Sequence, residues 1–573
     1  MPDWLGGRYK KDDVGVWVPQ SGPQAFGYSD GAWVERYLEN VFRTASDLSS
    51  ASEELETHIK DWNTEYHLSR KRKDLLAGLR HDRSAKVLEI GCGCGAITRF
   101  LGESYDSVVA VEGSYKRARL ARLRTADLPG VEVVSSRYQD IGLEGSFDIV
   151  FCIGVLEYAP SYVDAADPFA HALDSMKRML KPGGALVIAI ENKFGLKYFA
   201  NSREDHAGTF FEGIEGYPRT DDEFETFGRK QLAERLGSYW PDLQFYYPFP
   251  DYKMPSMLLS EAALEAIDIG EMLASLHERD YAGTKPAFFD NRLAWREVAR
   301  NGLVGEFSNS FLVVAGSSSS LDPDMADRLA VLFNRDRRAR FSTETSISRQ
   351  GDAITVAKTL PDPAAAHADH LRIEPIASNW IDQPTIAYSL FRRAHGRKRD
   401  LPERMTGVIA WWDAILTDSS AGPDGPIVPG RMIDAVWHNA CHMVDGTVQF
   451  FDQELVWHED IPAHDLFLRA AFAWCDRYRK REMPGLGGPR MISAIRYLAR
   501  AAGLTVSLSD MQRLARREAL IQSEVGTISE GRARLAFMAR IYLPYCPELA
   551  AIAATLKIQS RRARNLLRRI FGR

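Results

Sequence analysis

Between residues 84 and 190 the chain alternates short apolar runs with amphipathic stretches, and few architectures accept that alternation. The runs read "KVLEIG", "SVVAVEG", "VEVVS", "FDIVFCIG" and "GALVIAIE". Strands spaced by helical segments predict parallel pairing through crossover helices, a doubly wound α/β sheet of Rossmann type. Such sheets bind ligands beyond the carboxyl ends of their strands. The first run leads into "GCGCGAITRFL", where Gly91, Gly93 and Gly95 precede a helix beginning near Ala96. Glycines at that point let the backbone turn tightly and approach a ligand without Cβ clashes. Glu89 stands two residues before the first of them. Glu112 ends the second run, 112 − 91 = 21 residues beyond Gly91, where an acceptor for ribose hydroxyls is expected.

With "FDIVFCIGVLEY" and "LKPGGALVIAI" following at matching intervals, residues 84–190 resemble a class I S-adenosylmethionine-dependent methyltransferase. The resemblance implies that Glu89, Gly91, Gly93 and Gly95 surround the methionine end of that cofactor and that Glu112 takes its ribose. It places Ser136 and Arg137 near the adenine, and Ile153 and Gly154 beside the sulfonium. A dinucleotide-binding or non-binding α/β domain is the alternative. Cys92 and Cys94 lack the second thiol pair a structural zinc site needs and read as small fillers of the turn.

Methyl transfer is an in-line displacement, so a protein positions the acceptor and removes a proton. The segment "ENKFGLKYFANSREDHAGTFFEGIEGYP" (191–218) follows the fifth strand and suits a lid or acceptor pocket. Within it His206 is the candidate base, with Asp205, Glu212 and Glu215 orienting the acceptor; a solvated loop with incidental charges is the bland reading. Glu157 and Tyr158, just past the fourth strand, are placed to touch acceptor or cofactor. The stretches "EYHLSRKRKDLL" (65–76), "IGVLEYAP" (153–160), "ENKFGLKYFANSREDHAG" (191–208) and "FEGIEGYP" (211–218) resemble a subgroup associated with bacterial surface-polysaccharide gene sets. That likeness spans roughly residues 1–316.

The second half carries another pattern. Asn439 lies 5 residues after Asp434, and Asp452 lies 13 after Asn439, across "NACHMV", an Asp445-Gly446 turn and "TVQFFD". This arithmetic resembles protein kinases and aminoglycoside-type phosphotransferases. The resemblance implies that Asp434 accepts a hydroxyl proton, Asn439 and Asp452 hold magnesium, and Lys358 in "AITVAKTL" holds the phosphates of ATP. The departures are "RMID" ahead of the base, Gln453 and Glu454 after the second Asp, and "FNRDRRARF" (333–341) in place of a glycine-rich loop. Glu374, in an expected helix, is the candidate partner of Lys358. A degenerate kinase-like fold that only binds, or an unrelated hairpin, are the alternatives.

At 573 residues the chain exceeds one core. The expected layout is an N-terminal helical extension (1–83), a methyltransferase domain (84–316, with 191–290 as acceptor or lid insertion), a kinase-like α+β domain (326–480) and a helical region (486–573). "GSSSSLDPD" (316–324) is the expected linker. Six irregularly spaced cysteines form no disulfide framework, which points to a reducing compartment. The opening lacks a signal-peptide pattern and no apolar run is long enough to span a bilayer, so the expectation is a cytoplasmic protein, peripheral at the membrane's inner face if its tail docks there. That tail, "QSRRARNLLRRIFGR", sets Ala563, Leu566, Leu567, Ile570 and Phe571 at helical spacing among arginines. It suits an anionic membrane surface, a glycosyltransferase partner or the protein's own core, and not nucleic acid.

A methyltransferase fused to a kinase-like domain resembles the enzymes that cap bacterial O-antigen polysaccharides. The resemblance implies S-adenosylmethionine, ATP and Mg2+ as cofactors, and a glycan, glycolipid or small-molecule acceptor. A methyltransferase with an inactive kinase-like domain, and a non-enzymatic membrane-docked assembly factor, are the other readings.

Overall fold

The computed structural model describes residues 7–79, 82–219, 223–276, 278, 280–281, 288–316, 327–394, 401–423, 425–478 and 490–542. The chain divides into two compact units, Met1–Arg335 with Ser342–Lys358, and Asp336–Phe341 with Thr359–Arg573.

The strands of the first unit are β1 (Tyr9–Lys11), β2 (Trp17–Pro19), β3 (Lys86–Ile90), β4 (Ser107–Glu112), β5 (Val131–Ser135), β6 (Phe147–Ile153), β7 (Leu180–Glu191), β8 (Leu243–Phe249), β9 (Met257–Ser260), β10 (Ser310–Gly316), β11 (Arg328–Asn334), β12 (Thr343–Gln350) and β13 (Ala353–Thr359). Their order is β1-β2-β5-β4-β3-β6-β7-β10-β8-β9-β11-β12-β13. β5, β4, β3, β6 and β7 pair in parallel. β10 then lies antiparallel to β7, and β8 antiparallel to β10. The expected Rossmann-like α/β sheet is present, with the five runs read from sequence at its centre.

Burial explains why those runs are strands. Val87, Leu88, Val133, Ile149, Phe151 and Val187 are all fully buried within the sheet. The helices between them bury one stripe each. In Pro168–Met179, Phe169, Ala172, Leu173, Met176 and Met179 face inward at helical spacing. Pro168 opens that helix, and the Asp167 side chain accepts from Ala170 N at 3.0 Å, satisfying an otherwise unpaired amide.

Two boundaries differ from the sequence reading. The 1–83 segment is not helical throughout, because β1 and β2 extend the sheet at β5 through the pair Trp17 and Val134. The strands β11, β12 and β13, expected to open a second domain, instead continue the first unit's sheet, β11 lying antiparallel to β9. The backbone edge that β9 would otherwise expose to pairing is thereby covered. The linker region 317–326 and the basic stretch 557–573 lie outside the described residues.

The second unit is mainly helical. Its longer helices are Leu401–Thr417, Ala463–Tyr478, Met491–Ala501, Leu508–Val525 and Glu530–Tyr542. Trp411, Trp437 and Phe467 pack edge to face in its core, and Trp411 Nε1 donates to Ala435 O at 2.8 Å. The expected hairpin is present, pairing Ala440–His442 with Val448–Phe450. Among the described residues no helix is long and apolar enough to cross a membrane.

Candidate functional site

The strand order reverses at β3, which has β4 on one side and β6 on the other. A crevice forms at such a point, and here it is a cavity of about 280 Å3. Glu89, Gly91, Gly93, Glu112, Ser136, Arg137, Ile153, Gly154, Glu157, Tyr158, Asp205 and His206 all line it. The turn needs its glycines. Gly91 has φ 71°, and a Cβ there would sit 2.4 Å from Val155 Cγ2. Gly95 is set back from the wall as the cap of helix Ala96–Ser104, with φ 85°, and a Cβ there would meet Ala121 Cα at 2.7 Å.

Glu112 fastens this turn. Its Oε2 accepts from Gly93 N at 2.8 Å and its Oε1 from Ser114 N at 2.9 Å. A carboxylate offers about four lone-pair sites, so two acceptor positions remain for a diol. Glu89 is buried, and its Oε2 has no hydrogen-bond partner. Burial pushes its carboxyl up to about 8, with neighbouring Glu112 adding to the effect. An unsatisfied buried acceptor costs about 1–3 kcal/mol, which a ligand ammonium would relieve. Ser136 Oγ lies 3.1 Å from Tyr9 OH, tying the third strand's end to β1.

The N-terminal segment contributes a wall that the motif reading missed. Asp30 sits 3.2 Å from His67 Nε2 and 3.1 Å from Arg117 Nε. The Arg117 guanidinium lies 4.6 Å from the Tyr28 ring centroid, and Phe26 stacks on Tyr162 at 4.5 Å. Burial alone would lower the His67 pKa, but Cys94 and Asp30 raise it to about 9. Burial alone would raise Asp30, yet His67 and Arg117 hold it at about 2. Cys94 Sγ lies 3.8 Å from Asp30 Oδ2, so this thiol has a polar partner and is more than a filler. The only sequence signal was a run of aromatics among glycines, "FGYSDGAW".

At the other end of the cavity the acid-rich segment meets the ends of β6 and β7. His206 Nδ1 lies 2.8 Å from Glu204 Oε1, while its Nε2 lies 3.7 Å from Glu157 Oε1 and 3.8 Å from Glu191 Oε2. Burial would lower its pKa, but Glu191, Glu157 and Glu204 hold it well above the usual histidine range. These carboxylates favour a proton on the ring when nothing else is bound there, which makes His206 ill suited to the role of base expected from sequence. Glu157 is better suited, since burial raises its carboxyl above the ordinary range. Lys253 Nζ contacts Glu191 Oε1 and lies 2.6 Å from Asp205 Oδ2, and Lys197 Nζ lies 2.8 Å from Asp205. Asp205 is thus a counter-ion to two lysines. Tyr158 packs edge-on to both Tyr28 and His206. Glu212 and Glu215 do not line the cavity. Buried Glu212 accepts from Arg219 N and Nη1, both at 2.8 Å, and exposed Glu215 pairs with Arg219 Nη2 at 2.7 Å, so both hold Arg219 and not the cavity wall. Glu191, Glu204 and Lys253 were not singled out from sequence, although Glu191 ends the fifth strand where a ligand group is expected.

In the second unit, Asn439 Nδ2 donates to Asp434 O at 3.0 Å and to Asp452 O at 3.1 Å. One amide therefore draws the three expected residues together. Asp434 is pushed up to about 6 by burial, opposed by Arg469, whose Nη2 is 3.8 Å away. Asp452 has φ 52°, a conformation few non-glycine residues hold. Arg337 Nη2 lies 2.6 Å from Glu454 Oε1. Lys358 is buried on β13 of the first unit. Glu374 is exposed in a turn between Leu371–Ile373 and Ile376–Asn379, not on a helix, and its carboxylate binds Arg372 Nε at 2.7 Å. Leu371–Ile373 pairs antiparallel with Leu455–Trp457, so the stretch leading to Glu374 is extended and not the expected helix.

Residues 88–188 match the model of a family described as methyltransferase domain. The trans-aconitate 2-methyltransferase of Azoarcus sp. (strain BH72) is 30% identical over 128 residues, 22% of this chain and 47% of that protein. The ubiquinone biosynthesis O-methyltransferase of Xanthomonas euvesicatoria pv. vesicatoria (strain 85-10) is 33% identical over 114 residues, 19% and 44% respectively. A solved putative methyltransferase from Haloferax volcanii, in complex with the Trm112 activator, matches at 18% identity over 43% of this chain and 88% of that one, with a TM-score of 0.27. The chain spans slightly under half the length of the curated relatives it matches. Residues 88–188 thus carry a domain similar to the class I S-adenosylmethionine-dependent methyltransferases, in a Rossmann-like α/β sheet.

Proposed function

We propose that the first unit methylates a hydroxyl group of an acceptor held against Glu157, Glu191 and His206. The observation that carries this is one continuous cavity running from the glycine turn to that acid cluster. The cofactor end fits S-adenosylmethionine. The unpartnered Glu89 Oε2 suits its ammonium, Glu112 has acceptor positions left for its ribose, and the space over Gly91 admits no Cβ. When bound, that cofactor supplies an electrophilic methyl group. Glu157 takes the acceptor's hydroxyl proton, Lys253 and Asp205 hold the acceptor's polar groups, and Tyr158 with Tyr28 excludes water. A polar, charge-lined chamber suits a polyhydroxy glycan or glycolipid, as the resemblance of residues 191–218 implies. The relatives' names point equally to small-molecule acceptors. Incubation with methyl-labelled cofactor and a panel of glycans, glycolipids and small hydroxy compounds should label one class, with kcat at least about 100-fold lower in Glu157→Gln. No labelled acceptor, with cofactor binding intact, would refute the reading.

A second reading concerns the second unit, where the Asn439 amide bridges Asp434 and Asp452. We infer a phosphotransferase there, with Asp434 as base and with Asp452 and Asn439 Oδ1 toward Mg2+. Transfer of label from γ-labelled ATP, abolished in Asp434→Asn and in Asp452→Asn, would support it. Equal labelling by both variants would refute it.

A further inference from the structure

The Glu157–Glu191–His206 cluster at the acceptor end is built more strictly than a buried salt bridge requires. The separations from His206 Nε2 to Glu157 Oε1 and Glu191 Oε2, 3.7 Å and 3.8 Å, are too long for hydrogen bonds. One ligand atom from each of the three residues lies within 4.8 Å of the others. Donors about 2.0–2.2 Å from a shared tetrahedral ion stand roughly 3.3–3.6 Å apart, close to what is seen. Glu157 and Glu191 are fully buried, and Glu157 Oε2 and Glu191 Oε2 have no hydrogen-bond partner. Both oxygens are buried without a hydrogen bond, and Glu191 Oε2 has the His206 ring 3.8 Å across from it.

The surroundings match what orients a metal ligand. His206 Nδ1 is held at 2.8 Å by Glu204, leaving Nε2 toward the carboxylates, where an ion would take the place of the Nε2 proton. A carboxylate on the far ring nitrogen is the usual outer partner of a metal-binding histidine. Glu204 is itself fixed by His206 N at 2.7 Å, so the ring cannot swing away. Lys253 occupies only Glu191 Oε1, which leaves Oε2 on the cluster side.

We propose that Glu157, Glu191 and His206 bind one divalent first-row transition-metal ion, which presents the acceptor's hydroxyl oxygen. Two carboxylates and one imidazole suit Mn2+, Fe2+, Co2+ or Zn2+ better than a thiol-seeking ion. Three protein ligands leave open positions for an acceptor oxygen. Glu157 keeps its second oxygen to take the hydroxyl proton. The ion's binding stands on geometry alone, whereas its role in presenting the acceptor rests on the methyltransferase reading above. The acceptor it favours is one with two adjacent oxygens, such as a vicinal diol, which can chelate.

The test uses the full chain carrying Asp452→Asn, so that the second unit's acids do not add a site. Titration with Mn2+ followed by electron paramagnetic resonance should show one bound ion per chain. Glu191→Gln and His206→Gln should weaken it at least about 10-fold, and Glu204→Gln by about 10–100-fold. S-adenosylmethionine binding, measured on the same samples, should persist in all three, which separates loss of the ion from loss of the methyltransferase reading. Mn2+ affinity unchanged in these variants would overturn the proposal. A crystal grown with Mn2+ needs no variant. An anomalous peak bonded to the three named atoms is expected, and its absence at an otherwise ordered cluster would also overturn it.

Discussion

Replacing Gly91 by Ala tests how tightly the cofactor turn is packed. The added Cβ would stand 2.4 Å from Val155 Cγ2, and the backbone is held at φ 71°. The left-handed conformation costs a non-glycine residue about 1–2 kcal/mol, and forcing a methyl into occupied space costs about 1–3 kcal/mol. Together they predict a loss of about 2–5 kcal/mol, shared between the first unit's stability and its affinity for S-adenosylmethionine. If all of it appeared in affinity, the smaller figure alone would weaken binding about 30-fold. The two causes separate in a cycle with Val155→Ala, which removes the clashing methyls and leaves φ unchanged. Urea unfolding and calorimetric cofactor titration of the four proteins should show the double variant about 1–3 kcal/mol better than the sum of the singles. Strict additivity would refute the packing argument, and a silent Gly91→Ala would refute both terms.

Glu112→Gln keeps one acceptor and loses the charge that holds Gly93 N and Ser114 N, so cofactor affinity should fall about 10–100-fold in a binding titration. Leu88→Ala empties a fully buried position in β3 and should destabilise the first unit by about 2–5 kcal/mol in denaturant unfolding. The Asp30–His67 pair gives a pH signature. His67 is raised from 6.5 to about 9 on folding, so its contribution is complete below 6.5 and lost as pH rises through about 9. Asp30 is lowered from 3.8 to about 2, so its contribution is present above 3.8 and lost as pH falls through about 2. Stability should therefore plateau between about pH 4 and 6.5 and decline toward pH 9, and His67→Gln should flatten that decline.

Local signals marked the cofactor end well. An apolar strand, Glu89 and three glycines lie within a few residues of one another, Glu112 ends the next strand, and the parallel sheet needs little else to place them. The acceptor end was harder to read because its members come from distant chain: Glu157, Glu191, His206 and Lys253 meet only once β6, β7, β10 and β8 are assembled in one sheet. His206 was found, but its protonation depends on three carboxylates whose proximity no spacing reveals. Glu212 and Glu215 looked equivalent to Asp205 in sequence; Arg219 captures both, while Asp205 pairs with Lys197 and Lys253 beside the cavity. The strands at 328–359 join the first sheet because β9 offers a free edge about 70 residues earlier, which no local spacing reveals. In the second unit the spacing of Asp434, Asn439 and Asp452 did forecast their convergence, since one hairpin carries most of it.

The account stands most directly on cofactor binding at the glycine turn. Titration of the full chain with S-adenosylmethionine should give one site per chain. Gly93→Arg should abolish it, because a Cβ there already lies 2.9 Å from Arg117 Nη2 at φ 56°. Absence of binding by the unmodified chain, or binding that Gly93→Arg leaves unchanged while the first unit stays folded, would contradict it.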